Sequence, residues 1–132
     1  MNVNAVMAKK ERVVILCRSE KKDSSEIWAQ ERFLNEYAKC NDKIIVRIYR
    51  EYGKAEMQFN TTLWDLRRMA MYKEFDVLIM PCLATFGGTP IEATSEIRFL
   101  NENGVKVVSL QEGELNFDTL PLIYRKMFCL VK

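Results

Sequence analysis

Four near-continuous apolar runs limit what this chain can fold into: RVVILC (Arg12 to Cys17), KIIVRIY (Lys43 to Tyr49), FDVLIM (Phe75 to Met80) and VKVVSL (Val105 to Leu110). A strand with one face in water alternates apolar and polar residues. A short β-branched run without alternation reads as a strand covered on both faces. Longer segments of helical period separate the runs, so the pattern is β-α repeated. That predicts a mostly parallel sheet of about four strands with helices on both faces.

The intervening segments carry their own start and stop signals. SSEIWAQERFLNEYAKC (Ser24 to Cys40) sets Ile27, Phe33, Leu34, Tyr37 and Ala38 at helical spacing, with Asp23 and Glu26 as a capping-box variant. TTLWDLRRMAMYK (Thr61 to Lys73) puts Leu63, Leu66, Met69 and Ala70 on one face. Thr89, Pro90 and Glu92 make a strong helix start, and Gly104 after Asn103 a good stop. Asp118 or Thr119 caps a last helix over 118–132, apolar around much of its girth through Ile123, Met127 and Phe128. Such a face predicts self-association. Trp28, Trp64, Met69 and Met71 are expected in the core or at a subunit contact.

Composition removes several chemistries. The chain has 132 residues, enough for one domain with a proper core. It has 0 His, which excludes imidazole metal sites and Ser-His or Cys-His catalysis, and no metal or cofactor is expected. Its 4 cysteines are scattered without CxxC spacing and are expected to be reduced. A net charge of +2 does not by itself imply a nucleic-acid partner. With no leader-like or membrane-length apolar run, a cytoplasmic protein without membrane contact is expected.

Parallel sheets of this kind place their sites at the carboxyl ends of the strands, near the reversal of strand order. Those ends carry Cys17 to Glu20, Tyr49 to Gly53, Pro81 to Gly88 and Gln111 to Gly113. In the third group, Gly87 and Gly88 precede the capped helix start at Thr89, where backbone N–H groups could cradle an anion or a nucleotide phosphate. The glycines serve a tight turn equally well.

Read in order, LCRSE, EIWAQERFLNEYA, REYG, YKEFDVLIM and LNENGVKVVSLQEG resemble the catalytic domain of serine recombinases, the resolvases and invertases. The resemblance spans roughly Arg12 to Glu114, with the last helix matching the start of the family's dimerisation helix. It implies a three-layer resolvase-like, flavodoxin-like α/β fold. It also implies a mobile-element function, site-specific DNA recombination, with DNA and a second copy of the chain as partners. In that chemistry a serine hydroxyl attacks a DNA phosphodiester while arginines stabilise the developing charge. No separate C-terminal DNA-recognition domain is expected here, so DNA binding by this chain alone is expected to be weak or lost.

Carried across, the family's first-strand arginine is Arg18, the glutamine of the next helix is Gln30, and the acidic residue after the fourth strand is Glu112. The nucleophile is Ser19, one residue after the arginine. The family's serine lies two residues after it, where this chain has Glu20. Adjacent residues of an extended chain point to opposite sides, so Ser19 is expected to face away from Arg18. The family's Asp-Arg-x-Ser-Arg loop is replaced by Ala84, Thr85, Gly87 and Gly88, its lysine by Cys82, and an upstream arginine by Asn60. Losing one such donor costs about 10²–10³-fold in rate. The expectation is therefore a catalytically impaired recombinase-type domain acting as a dimerising or regulatory module. Two alternatives stand beside it: an active recombinase using Ser19, and an anion-binding flavodoxin-like module using Gly87, Gly88 and Thr89.

Overall fold

The computed structural model describes residues 10–19, 24–53, 55–86, 90–118 and 120, with backbone alone for 24, 55–60, 90 and 91. Within them the order is β1 (Arg12–Ser19), α1 (Ser24–Cys40), β2 (Ile44–Tyr52), α2 (Ala55–Met71), β3 (Val77–Met80), a 3₁₀ turn (Leu83–Phe86), α3 (Pro90–Glu102), β4 (Lys106–Ser109) and β5 (Gly113–Glu114). The strands form one sheet in the order β2-β1-β3-β4-β5. All neighbours are parallel except β4 with β5. None of the described helices is long and apolar enough to cross a membrane.

The two faces of β1 show why its run needs no polar alternation. Val13, Ile15 and Cys17 pack with Ile27 and Leu34 of α1. Val14 and Leu16 pack on the other side with Leu66, Met69 and Ala70 of α2 and Ala93, Ile97 and Leu100 of α3. All five β1 side chains are fully buried, and burying each aliphatic one contributes about 1.5–3 kcal/mol. One described helix thus covers one face and two cover the other, giving the three layers.

In β2 the pairing shifts register, Val13 opposite Ile45 but Val14 opposite Arg47, which leaves Val46 as a bulge. An extra residue exchanges the faces that follow. Ile45 accordingly packs on the α1 side, while Tyr49 joins the α2 core.

Several elements differ from the sequence pattern. The sheet has a fifth strand, because the chain reverses after Ser109 and pairs Gly113 and Glu114 back onto β4. Helix α2 starts at Ala55 instead of Thr61, consistent with the good helix formers Ala55, Glu56, Met57 and Gln58. Phe33 is 67% exposed, since it lies about 100° around the helix from Leu34. Trp28, Trp64 and Met71 are exposed as well, whereas Met69 is in the core. Gly104 closes α3 at φ 83°, a conformation that favours glycine. Most of the last expected helix, with Ile123, Met127 and Phe128, lies outside the described residues, although Leu120 is buried in the α2–α3 core.

Candidate active site at the strand carboxyl ends

β1 stays extended through Ser19, so its last two side chains leave the sheet on opposite faces. Arg18 is 8% exposed, and its Nε donates to the Thr85 carbonyl of the 3₁₀ turn at 3.0 Å. Burial pulls the Arg18 pKa below its ordinary value, opposed by the Glu51 carboxylate on β2. Glu51 in turn accepts the buried Thr62 hydroxyl of α2. Ser19 is 1% exposed and sits on the α1 side, where its Oγ donates to Glu26 Oε2 at 2.9 Å.

Gln30 joins α1 to the end of β1. Its Oε1 accepts the Arg18 backbone N–H at 3.0 Å, and its Nε2 donates to the Arg18 carbonyl at 2.8 Å. β3 pairs with β1 only at Val13, Val14 and Ile15, so among the described residues no strand meets the β1 backbone at Arg18 on that side. The primary amide of Gln30 supplies the donor and acceptor that a strand would have supplied. This is the crevice where strand order reverses between β1 and β3.

Glu112 organises the far side of the crevice. Its Oε1 accepts the Leu83 backbone N–H at 2.7 Å and the Ser109 hydroxyl, while its own N–H donates to Ser109 Oγ at 2.8 Å. The carboxylate therefore fixes the start of the turn whose Thr85 carbonyl receives Arg18. Cys82 Sγ lies 3.7 Å from Thr85 Oγ1 in the same turn.

Of the four residues carried across from the sequence, Arg18 and Gln30 are in direct contact, and Glu112 reaches Arg18 through the 3₁₀ turn. Ser19 is on the other face. Arg67 and Arg68 of α2 do not supply free guanidinium groups, since Arg67 pairs with the buried Glu96 of α3 and Arg68 with Asp65. Glu20, Gly87, Gly88 and Thr89 lie outside the described residues, and Asn60 is described by its backbone alone. Cys17 is a buried thiol whose pKa desolvation raises to about 12, so it stays protonated. Among the described residues no His, Cys, Asp or Glu cluster could hold a metal ion.

Sequence reasoning treated Glu26 only as a cap and missed it as the partner of Ser19. It also missed Ser109, although Ser109 and Glu112 have capping-box spacing, the signal that could have found them. The Thr85 carbonyl carries no side-chain signal.

No protein-family model matches the chain, and no curated protein matches it. Solved structures do. The N-terminal catalytic domain of TP901-1 integrase is similar over 91% of this chain and 98% of its own, at 18% identity and a TM-score of 0.73. A resolvase family site-specific recombinase from Streptococcus pneumoniae is similar over 92% of this chain and 91% of its own, at 18% identity and a TM-score of 0.70. The C-terminal catalytic domain of ISC1926 TnpA, an IS607-like serine recombinase, is similar over 91% and 80%, at 19% identity and a TM-score of 0.66. At these identities the likeness is one of fold, and the fold is the resolvase-like one expected from the sequence.

Proposed function

We propose that this chain is a serine-recombinase-type domain, tied to site-specific DNA recombination, that has lost strand-transfer chemistry and serves as a self-associating or regulatory module. One observation carries this reading: the candidate nucleophile and the candidate charge-stabilising arginine diverge. Attack on a phosphodiester needs the nucleophile about 3–3.5 Å from phosphorus, with donors converging on the same phosphate. Ser19 Oγ instead points at a carboxylate on α1, and Arg18 at a carbonyl on the opposite side of the sheet. A phosphate brought to Ser19 would meet the negative charge of Glu26.

The test is covalent capture. A nicked or phosphorothiolate DNA substrate traps a phosphoserine adduct in an active recombinase, visible as a shifted band and by mass spectrometry. The expected result is no adduct from wild type. A second reading, an active recombinase using Ser19, is favoured by the Glu26 contact, since a carboxylate accepting a serine proton is a base in position. An adduct abolished by Ser19→Ala would establish that reading and overturn the first.

A further inference from the structure

The edge of the sheet at β2 is nine residues long, and among the described residues no strand pairs with its outer side. A long edge with free N–H and C=O groups is a template for another strand, and proteins blunt such edges with bulges and charges. Here the bulge at Val46 lies ahead of a regular segment, Arg47 to Tyr52, which pairs residue by residue with Val14 to Ser19. Its charges, Arg47, Arg50 and Glu51, are of both signs.

The backbone phase of that segment is fixed. The Gly53 N–H donates to the Ser19 carbonyl of β1 at 2.9 Å. By alternation the main-chain groups of Glu51, Tyr49 and Arg47 turn toward β1, and those of Tyr52, Arg50 and Ile48 turn outward. An antiparallel partner must therefore meet β2 through Ile48, Arg50 and Tyr52. If the partner is β2 of a second copy, this phase rules out every register that pairs an outward residue with an inward one.

Four registers centred within the segment remain; the one with Glu51 on the two-fold axis sets Glu51 against Glu51, a like-charge contact. With Arg50 on the two-fold axis, Arg50 faces Arg50, a like-charge contact. With Ile48 on the axis, Arg47 faces Tyr49 and no opposite charges meet. With Tyr49 on the axis, Ile48 and Arg50 exchange main-chain bonds with Arg50 and Ile48 of the second copy. Arg47 then faces Glu51, and Glu51 faces Arg47, in the pairs without main-chain bonds, where side chains lie closest.

Both of those side chains stand on the α2 face. Arg47 pairs with Asp65 of α2 at 3.7 Å and keeps 47% of its side chain exposed, leaving guanidinium capacity for a second carboxylate. Glu51 accepts from Thr62 of the same helix through Oε1.

We infer that β2 is a self-pairing edge: two copies of this chain join antiparallel through Arg47 to Glu51 about a two-fold axis at Tyr49, making one continuous sheet. The charge pattern selects the second copy over a foreign strand, because only a partner with the reversed Arg-x-x-x-Glu spacing satisfies both ends at once. The inference deepens the self-associating part of the proposed function by naming the surface.

A charge swap tests it, read by sedimentation velocity with the full chain and with circular dichroism confirming fold. Wild type is expected to be dimeric. Arg47→Glu sets like charges against each other at both ends and is expected to raise the dimer Kd about 30-fold. Glu51→Arg does the same with the opposite sign. An equimolar mixture of the two variants is expected to recover a heterodimer, because both facing pairs are again opposite in charge. Should Glu51→Arg fail to fold, Arg50→Pro removes an outward N–H while sparing the bonds to β1, and is expected to weaken the dimer too. A wild-type dimer indifferent to Arg47→Glu and Arg50→Pro but broken by a charge at Met127 overturns this inference and leaves the proposed function standing. A monomeric wild type overturns both the inference and the self-associating reading.

Discussion

The two ends of the parallel sheet handle charge in opposite ways. At the amino ends of the strands, ions meet ions. Glu11 sits between Lys43 and Lys106, Arg12 holds Asp76, and Lys10 holds Asp42. These pairs are part-exposed and tie together the starts of β1, β2, β3 and β4. At the carboxyl ends, charged and amide side chains are spent largely on backbone and hydroxyl groups. Arg18 donates to a carbonyl, Glu112 accepts an N–H and a hydroxyl, Gln30 pairs with backbone, and Glu51 accepts a hydroxyl. Ion pairs in water are worth about 0–1 kcal/mol each, whereas stranding a buried donor or acceptor costs about 1–3 kcal/mol. The carboxyl ends should therefore be the more sensitive to single substitutions, although among the described residues they carry fewer ion pairs.

Glu112 offers the largest expected effect. Glu112→Ala removes the acceptor of both the Leu83 N–H and the Ser109 hydroxyl, and is expected to cost about 2–4 kcal/mol in urea unfolding. Glu112→Gln keeps an oxygen there and should recover at least half of that loss. If the alanine variant unfolds within about 0.5 kcal/mol of wild type, the turn is held by its apolar contacts and not by the carboxylate.

Gln30 comes next. Gln30→Ala leaves the Arg18 N–H and C=O without their side-chain partners, at an expected cost of about 1–3 kcal/mol. Water reaching the half-open crevice offsets part of it. Amide exchange at Arg18 gives the sharper reading, since it should accelerate strongly in this variant while exchange at Val14, bonded within the sheet, changes only with global stability. Uniform acceleration at both amides would mean that Gln30 supports the fold generally and has no special hold on the end of β1.

How far the sequence reveals all this depends on the kind of feature. The strands were legible because residues such as Val13 to Cys17 are apolar on both faces, and α1 because Ile27, Leu34 and Ala38 share one face. Alternation along β1 was enough to expect Ser19 and Arg18 on opposite sides. The bulge at Val46 was not legible, because straight alternation puts Ile44, Val46 and Ile48 on one face, whereas in the fold Ile45 and Ile48 share the α1 side and Ile44 and Val46 are exposed. The hairpin to β5 was hidden because two residues make no periodicity. Gln30 and Glu112 came to notice only through motif resemblance. Their bonds go to main-chain atoms of distant residues, and those atoms are the same in every sequence. Glu26 was assigned to its own helix terminus, and only the three-dimensional fold brings it to Ser19.

The smallest expected effect lies at the amino ends and concerns acid. The Arg12 guanidinium, hydrogen-bonded to Asp76, holds that carboxyl below its ordinary 3.8. Lys43, helped by Lys106, holds Glu11 below 4.5 against the opposing effect of burial. A carboxylate whose pKa is lower folded than unfolded adds stability above the unfolded value, and that stability disappears as pH falls through the folded one. Both contributions should thus be intact at neutral pH and fade below about pH 4.5. Asp76→Asn retains an oxygen for the Arg12 N–H, so at pH 7 and low salt it is expected to cost only about 0.5–1 kcal/mol. The loss should shrink at high salt, because both partners are part-exposed and screened. Unfolding curves of wild type and Asp76→Asn should converge once pH falls below the lowered folded pKa of Asp76, where the native aspartate is also neutral. A gap that stays constant down to that pH would trace the cost to packing or hydrogen-bond geometry. The amino ends would then work as the carboxyl ends do, by main-chain hydrogen bonding, and the contrast between the two ends would fail.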